Sequence, residues 1–524
     1  VISGLFSTHL YDGTGSAQTI TNGINLSGKG GAVWSKRRDS TTGSGPWFND
    51  TERGITKYLG TYEAGTETDS SSSLSATTST GYTLGGAFSG WNNSSGEYVS
   101  WTFRKQPKFF DVVTYTGTGP ASAANEQQVS HNLGVKPGLV IIKRTDDTGN
   151  WWVFTDVIDG TNDYAYLNSS NAFGNSSNNV PTASVFNVGG VLNTSGATYV
   201  AYLFANNNND GGFGPDSEDI IKCDTYTGNG SSTGPVITLG FEPQFIMLKR
   251  TDSSTNGNWY VFDNMRGIVT GGDDPYLYWN TDAAEVAGNA LELTPTGFQL
   301  KTTSSGFNDN GGTYVYMAIR KDGMSTPTVA SEVFSIDTKG SSAPYFDSNH
   351  IVDMALVKSA GATGDWYNYA RLMGEKYLAT NTTAAEANAS EAGFDFMDGH
   401  IDSDWGGTNA HSWMWKRAKG YFDVVAYTGT GAAQTINHNL GAIPEMIWLK
   451  RRDTANFEWI VYHKGLNGGT SPEDYVLYLN TTNTEADVAY WDDTAPTSTT
   501  FRVSGFGQTG AIGGTYRLWI YQWF

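Results

Sequence analysis

The sequence predicts an all-β protein: five tandem β-sandwich repeats, jelly-roll-like, of about 100 residues each, strung as an extended rod. Three observations predict it. Aromatic residues make up 13% of the 524 and sit in short alternating runs between Gly, Asn and Ser turns. The chain is too long for one compact domain, at roughly 100–200 residues per domain. Above all, three markers recur in the same order five times.

The first marker is a Lys-Arg pair at Lys36-Arg37, Lys143-Arg144, Lys249-Arg250 and Lys450-Arg451, with a degenerate copy at Lys358-Ser359. The second is a Tyr followed by Leu or Trp: Tyr58-Leu59, Tyr166-Leu167, Tyr278-Trp279, Tyr377-Leu378 and Tyr478-Leu479. The third is a closing run of alternating aromatic and apolar residues, such as "GEYVSWTFRK" from Gly96 and "GTYRLWIYQWF" from Gly514. The spacing is too long for a solenoid or a propeller blade and long enough for a self-standing sandwich. The expected domains are 1–107, 108–219, 220–330, a divergent 331–419, and 420–524.

Within a repeat the elements follow in order. "FDVVTYTGTG" from Phe110 and "FDVVAYTGTG" from Phe422 read as opening strands closed by Gly-rich turns. "HNLG", from His131 and again from His438, reads as a turn. "GLVIIKR" is a continuous apolar run that suits a strand buried on both faces, and the following Lys-Arg-Asp is expected to bring the chain to the surface. "NWWVFTD" and "YAYLN" are the next strands, then a polar loop and the closing strand. "TTAAEANASEAG" from Thr382 is expected to form one helical turn.

The formal net charge of −20 argues against nucleic-acid binding and against docking on anionic membranes. No stretch of about 18 apolar residues offers a membrane insertion. Cys223 stands alone, so the cores hold the fold without an intrachain disulfide.

"YDGTGSAQTITNGINLSGKGGAVWSKRR", "TERGITKYLGT" and "YVSWTFRKQPKFFDVVTYTGTG" resemble repeats in structural proteins of tailed phages, especially marine phages such as cyanophages. The resemblance covers nearly the whole chain, least well in the fourth repeat. It implies a virion surface protein of the tail-fibre or appendage kind, assembled in the host cytoplasm and exposed on the particle. Its expected partners are further copies of itself (a trimer by the usual architecture of fibres), other virion proteins, and a host surface glycan or protein. It brings no catalytic residues.

The residues agree with a non-enzymatic reading. "GSSTG" from Gly230 matches G-x-S-x-G, but a strand follows where a nucleophile elbow needs a helix. "GINLSGKG" from Gly23 puts Gly30 where a P-loop needs Ser or Thr. No catalytic residue and no cofactor site is assigned. "DGHIDSDWGGTNAH" is the densest ligand-like stretch; Asp398, His400, Asp402 and Asp404 are weak metal candidates, with Ca²⁺ the cation their oxygens suit, against a solvated polar loop. His131 and His438 read as turn or capping residues. Trp91 and Trp405, in Gly/Asn-rich loops, are weak candidates for stacking on a sugar ring; Phe307 and Phe506 at a similar place point instead to packing. Trp151-Trp152, Trp259, Trp366 and Trp459 recur once per repeat and read as core, and Arg53, Arg266 and Arg371 as internal ion-pair or stacking residues. Paired carboxylates for polysaccharide cleavage do not stand out but are a spatial property, which keeps a degrading enzyme as the third reading after a fibre and a filament or capsid decoration.

Overall fold

A computed structural model describes residues 2–522 apart from 42–43, 120–125, 208–211, 214–217, 270, 322–323, 325, 362, 390–391 and 403–408. It is all-β, 42% strand and 4% helical. Five six-stranded antiparallel sheets share one strand order. In the first sheet that order is Phe6–Asp12, Glu97–Arg104, Gly31–Arg37, Trp47–Asp50, Lys57–Gly60, Thr68–Asp69. The closing strand therefore lies between the opening strand and the Lys-Arg strand, and the rest of the sheet is a meander.

A smaller sheet accompanies each large one. Gln18–Thr21 pairs with Gly81–Leu84, Gln127–Ser130 with Val185–Val188, Val236–Thr238 with Gly297–Leu300, Phe346–Asp347 with Gly399–Asp402, and Gln434–Asn437 with Thr500–Val503. A core fills the space between the two sheets. In the last copy it gathers Ile436, Leu449, Tyr462, Val476, Trp491, Phe501 and Leu518. We call these five sheet pairs repeats 1 to 5.

The recurrence of "HNLG" after the "FDVV" opening strand has a mechanical explanation. The Asp of the opening strand reaches the turn: Asp111 Oδ2 accepts the Asn132 N–H at 2.7 Å, and Asp423 Oδ2 accepts that of Asn439 at 2.8 Å. The turn histidine closes its own loop. His131 Nδ1 accepts from the Leu133 N–H while Nε2 donates to the Thr182 carbonyl; His438 does the same with Leu440 and Thr497. Gly134 and Gly441 follow at φ of 72° and 71°, a conformation that favours glycine. "FD" and "HNLG" thus recur together because each is bonded to the other.

Several expectations need correction. Lys36, Lys143, Lys249 and Lys450 do not emerge at the surface; all four are fully buried. The arginine after each, half-buried except for the buried Arg250, pairs with the Asp two places on: Arg37–Asp39 at 2.7 Å, Arg144–Asp146 at 2.9 Å, Arg250–Asp252 at 2.7 Å and Arg451–Asp453 at 3.0 Å. The helical turn expected from Thr382 is absent among the described residues; Ala387–Asn388 pairs with Lys376 and Tyr377 as an edge strand. Strand register also shifts two of the Tyr markers. Gly60, Tyr166, Tyr278, Ala379 and Tyr478 occupy the same place, opposite Trp47, Trp152, Tyr260, Tyr367 and Ile460. Tyr58 and Tyr377 therefore lie two residues earlier.

The chain divides into two compact units. Unit 1 is Val1–Arg266, Asp274–Leu291 and Gly297–Asp322; unit 2 is Gly267–Asp273, Glu292–Thr296 and Gly323–Phe524. Unit 1 is not a linear string. Repeat 3 touches repeat 1 through the same edge that repeat 2 uses on repeat 3, so the order closes on itself.

Candidate functional site

The residues singled out from the sequence do not converge. His400 is 1% exposed and lies between the rings of Phe346 and Phe394, with Nε2 bonded to Ser412 Oγ at 2.8 Å. Burial pushes its pKa down to about 4, so the ring is neutral at pH 7. Asp402 points inward like His400, two residues away on the same strand, while Asp398 is exposed just before that strand. Asp404 and Trp405 lie outside the described residues. The described candidates are not brought together: strand alternation sends His400 and Asp402 into the core and leaves Asp398 outside. Among the described residues no group of three His, Cys, Asp or Glu is placed to hold a metal.

Trp91 is also corrected. It is fully buried in the core with Ile20, Leu84 and Tyr82, and its carbonyl accepts from the Tyr11 hydroxyl at 2.9 Å. A ring with no exposed face cannot stack on a sugar.

The best-built site is the edge at which one repeat meets the next. Its first element is an indole. Trp151 of repeat 2 donates Nε1–H to the Gly60 carbonyl of repeat 1 at 2.8 Å. Trp259 of repeat 3 donates to Tyr166 of repeat 2 at 2.9 Å, and Trp459 of repeat 5 to Ala379 of repeat 4 at 3.0 Å. Donors and acceptors are equivalent in all three. These tryptophans are buried, as expected, but in the neighbouring repeat's edge. Repeat 1 has Pro46 at this place, and repeat 3 supplies Trp279 instead, packed against Trp34 and Trp101.

The second element is a backbone bond at the end of the Lys-Arg strand. The N–H of Glu67 donates to the Thr145 carbonyl at 3.0 Å, Phe173 to Thr251 at 2.8 Å, Glu285 to Arg38 at 2.8 Å and Glu386 to Arg452 at 2.8 Å. The direction is repeat 1 to 2, 2 to 3, 3 back to 1, and 4 to 5.

The third element is charge. Glu285 takes a two-pronged contact from Arg38 (2.8 and 3.0 Å) and another from Arg266 at 3.0 Å. Arg266 is fully buried against Asp263 at 2.7 Å, and Asp263 also accepts the Trp101 indole N–H of repeat 1 at 3.1 Å. In repeat 1 the equivalent group is Asp50–Arg53–Glu67, joined by the Tyr202 hydroxyl of repeat 2 at 2.8 Å. Repeat 2 has no such group; Thr155, Ile158 and Phe173 stand there. Glu386 and Arg452 repeat the carboxylate–guanidinium contact between repeats 4 and 5, at 2.8 Å for Nη2. These guanidinium–carboxylate forks are the strong form of an ion pair.

A row of side chains from each large sheet faces the junction. In unit 1 the rows are Trp101–Trp34–Phe48–Leu59, Tyr202–Ile141–Val153–Ala165 and Met317–Met247–Val261–Leu277, none more than 2% exposed. This arrangement binds repeat to repeat. Sequence reasoning found the Trp, Arg and Lys positions but not their partners in other repeats.

No curated protein matches the chain, and no solved structure does. One family model, described as a domain of unknown function (DUF7483), matches residues 2–322 and 352–523. The unmatched gap holds the opening strands of repeat 4, Phe334–Thr338 and Phe346–Asp347, where the sequence departs most from the other copies. The match covers most of the chain, which therefore belongs to the DUF7483 family.

Proposed function

We propose that this chain is a non-enzymatic structural and adhesive protein of a virus particle, a tail fibre or appendage that presents β-sandwich repeats toward a host surface. The observation that supports it is the interlocking edge: four repeat-to-repeat junctions use equivalent atoms, which is the chemistry of assembly. The sequence resemblance to phage appendage repeats supplies the biological setting, on the virion surface. The boundaries at 107, 219, 330 and 419 are part of this reading. Single weak contacts to a surface would gain strength by avidity when several repeats or copies act together. The test is binding of the fluorescently labelled full chain to marine cyanobacterial cells. Saturable binding competed by unlabelled chain is expected. Release of reducing sugar from the cell envelope would replace this reading with a degrading enzyme.

A purely structural role, as capsid decoration or filament subunit, is the second reading. It is favoured by Trp91, whose buried ring removes the glycan candidate that lies within the described residues. Absence of saturable binding, with incorporation into particles, would favour it.

A further inference from the structure

Unit 2 contains two repeats joined by the same junction that closes three repeats into a ring in unit 1. Its two unused edges are open. On the incoming edge of repeat 4, Trp366 occupies the place of Trp151, Trp259 and Trp459. Those three are at most 1% exposed; Trp366 is 38% exposed, leaning on Trp413 at 5.3 Å, and its indole N–H has no acceptor among the described residues. On the outgoing edge of repeat 5, Leu479 occupies the place of Thr61, Leu167, Trp279 and Thr380. Those four are at most 8% exposed; Leu479 is 38% exposed. Glu485, the counterpart of Glu67, Phe173, Glu285 and Glu386, is exposed. The junction-facing rows are half open: Trp413 and Leu356 in repeat 4, and Trp448 and Leu477 in repeat 5, are half-buried, while Asn368, Leu378, Trp519 and Val461 in the same rows are buried.

We infer that unit 2 is a docking site for one further repeat of this same family, carried on another polypeptide, which would sit between the outgoing edge of repeat 5 and the incoming edge of repeat 4. The chemistry of the occupant follows from the four filled junctions. It needs a Trp in the place of Trp459, to donate to the free Tyr478 carbonyl and cover Leu479. It needs an Arg in the place of Arg38 and Arg452, because Glu485 offers the carboxylate that those arginines take elsewhere. Its own outgoing edge would accept the Trp366 indole N–H. No repeat of a second copy can fill both edges at once: its repeats 1 to 3 already close on one another, its repeats 4 and 5 each hold one edge of the other, and its repeat 4 has Ala360 where Arg38 and Arg452 stand. This inference rests on the geometry of the junctions and stands apart from the virion reading.

The experiment supplies the missing repeat. Residues 420–524, which carry Arg452 and Trp459, are fused by a flexible linker after Phe524 of the full chain. Hydroxyl-radical footprinting then reads oxidation of Trp366, with Trp151, which occurs once in the fusion, as the internal reference. In the unfused chain Trp366 should oxidise on the order of tenfold faster than Trp151, from exposures of 38% and 0%. In the fusion the two rates should come within about twofold. The Leu479→Asp variant of the fusion should restore fast oxidation, and since Leu479 is exposed it should leave the melting of the unfused chain unchanged. Fast oxidation of Trp366 in a fusion whose added repeat is folded, as shown by one further set of protected amides in hydrogen exchange, would overturn the inference. So would reversible self-association of the unfused chain that protects Trp366, because a second copy would then be the occupant. A virion role could fail in binding assays while this result held, and the reverse.

Discussion

Replacing Lys249 by Met removes a buried amine that the fold holds in an unfavourable state for a cation. Its Nζ donates to the Gly257 carbonyl and lies 5.5 Å from the centre of the Trp259 ring. Burial pulls its pKa from 10.5 down to about 7. A base whose folded pKa is lowered leaves the unfolded chain with more bound protons at every pH between the two values. Stability therefore rises with pH from about 7 toward 10.5. At about 1.4 kcal/mol per proton per pH unit, this one lysine adds about 2 kcal/mol between pH 7 and pH 9. Cys223 and the buried tyrosines, whose pKa values burial raises, oppose the trend. They do so equally in both proteins and cancel in the difference. Urea unfolding of the full chain and of Lys249→Met at pH 7 and pH 9 measures it. The wild-type stability should rise over that interval by about 2 kcal/mol more than the variant's, with the variant at least as stable at pH 7. Parallel pH dependence in the two proteins would show that Lys249 keeps its charge in the fold and would refute the argument for Lys36, Lys143 and Lys450 as well.

Other predictions follow from the junctions and the core. Trp459→Ala should destabilise unit 2 by about 3–5 kcal/mol, through a cavity at the repeat 4–5 edge and the lost bond to Ala379; Trp459→Phe should cost less, and chemical denaturation separates the two. Glu285→Gln should cost about 3 kcal/mol, because Arg38 and Arg266 both lose the Glu285 carboxylate while Arg266 keeps Asp263, and the double variant Glu285→Gln/Arg38→Gln should recover part of it in a thermodynamic cycle. His400 has a folded pKa of about 4 against 6.5, so its contribution is complete above pH 6.5 and is lost as pH falls toward 4. His400→Phe should therefore remove about 3 kcal/mol of acid sensitivity across that window, read by unfolding at pH 6.5 and 4, and added Ca²⁺ or Zn²⁺ should leave the wild-type melting temperature where it is.

The sheets were legible in the sequence because strand periodicity and turn chemistry act over a few residues. "GLVIIKR" reads as a buried strand, and Pro137–Arg144 is one. "HNLG" reads as a turn, and the Gly at its end needs a positive φ. The Lys of each Lys-Arg pair was misjudged because charge normally marks the surface; here a backbone carbonyl accepts each ammonium and burial lowers its pKa. The junctions were not legible. Arg38 and Glu285 stand 247 residues apart, and Trp151 looks in sequence like any core tryptophan although its acceptor belongs to another repeat. Trp91 was misplaced for the opposite reason, since Gly and Asn around it describe the loop backbone and say nothing of where its ring goes.

The three junctions of unit 1 share their backbone bonds and differ in their side chains. Three identical subunits around an axis must use one edge three times, so every substitution is felt in triplicate. Three repeats on one chain escape that restriction, and here they have used the freedom. The edge of repeat 2 carries Phe173, which meets Trp259 with ring centres 6.0 Å apart. Set against repeat 1 instead, Phe173 would deny Arg38 the forked contact that Glu285 gives it. Repeat 3 presents the bulky Trp279 to the one repeat that has Pro46 in place of an incoming indole. Domains this alike are prone to mistake one another while a long chain folds. Their edges work as addresses: of the ways three similar domains can be seated in a ring, the side chains admit one order.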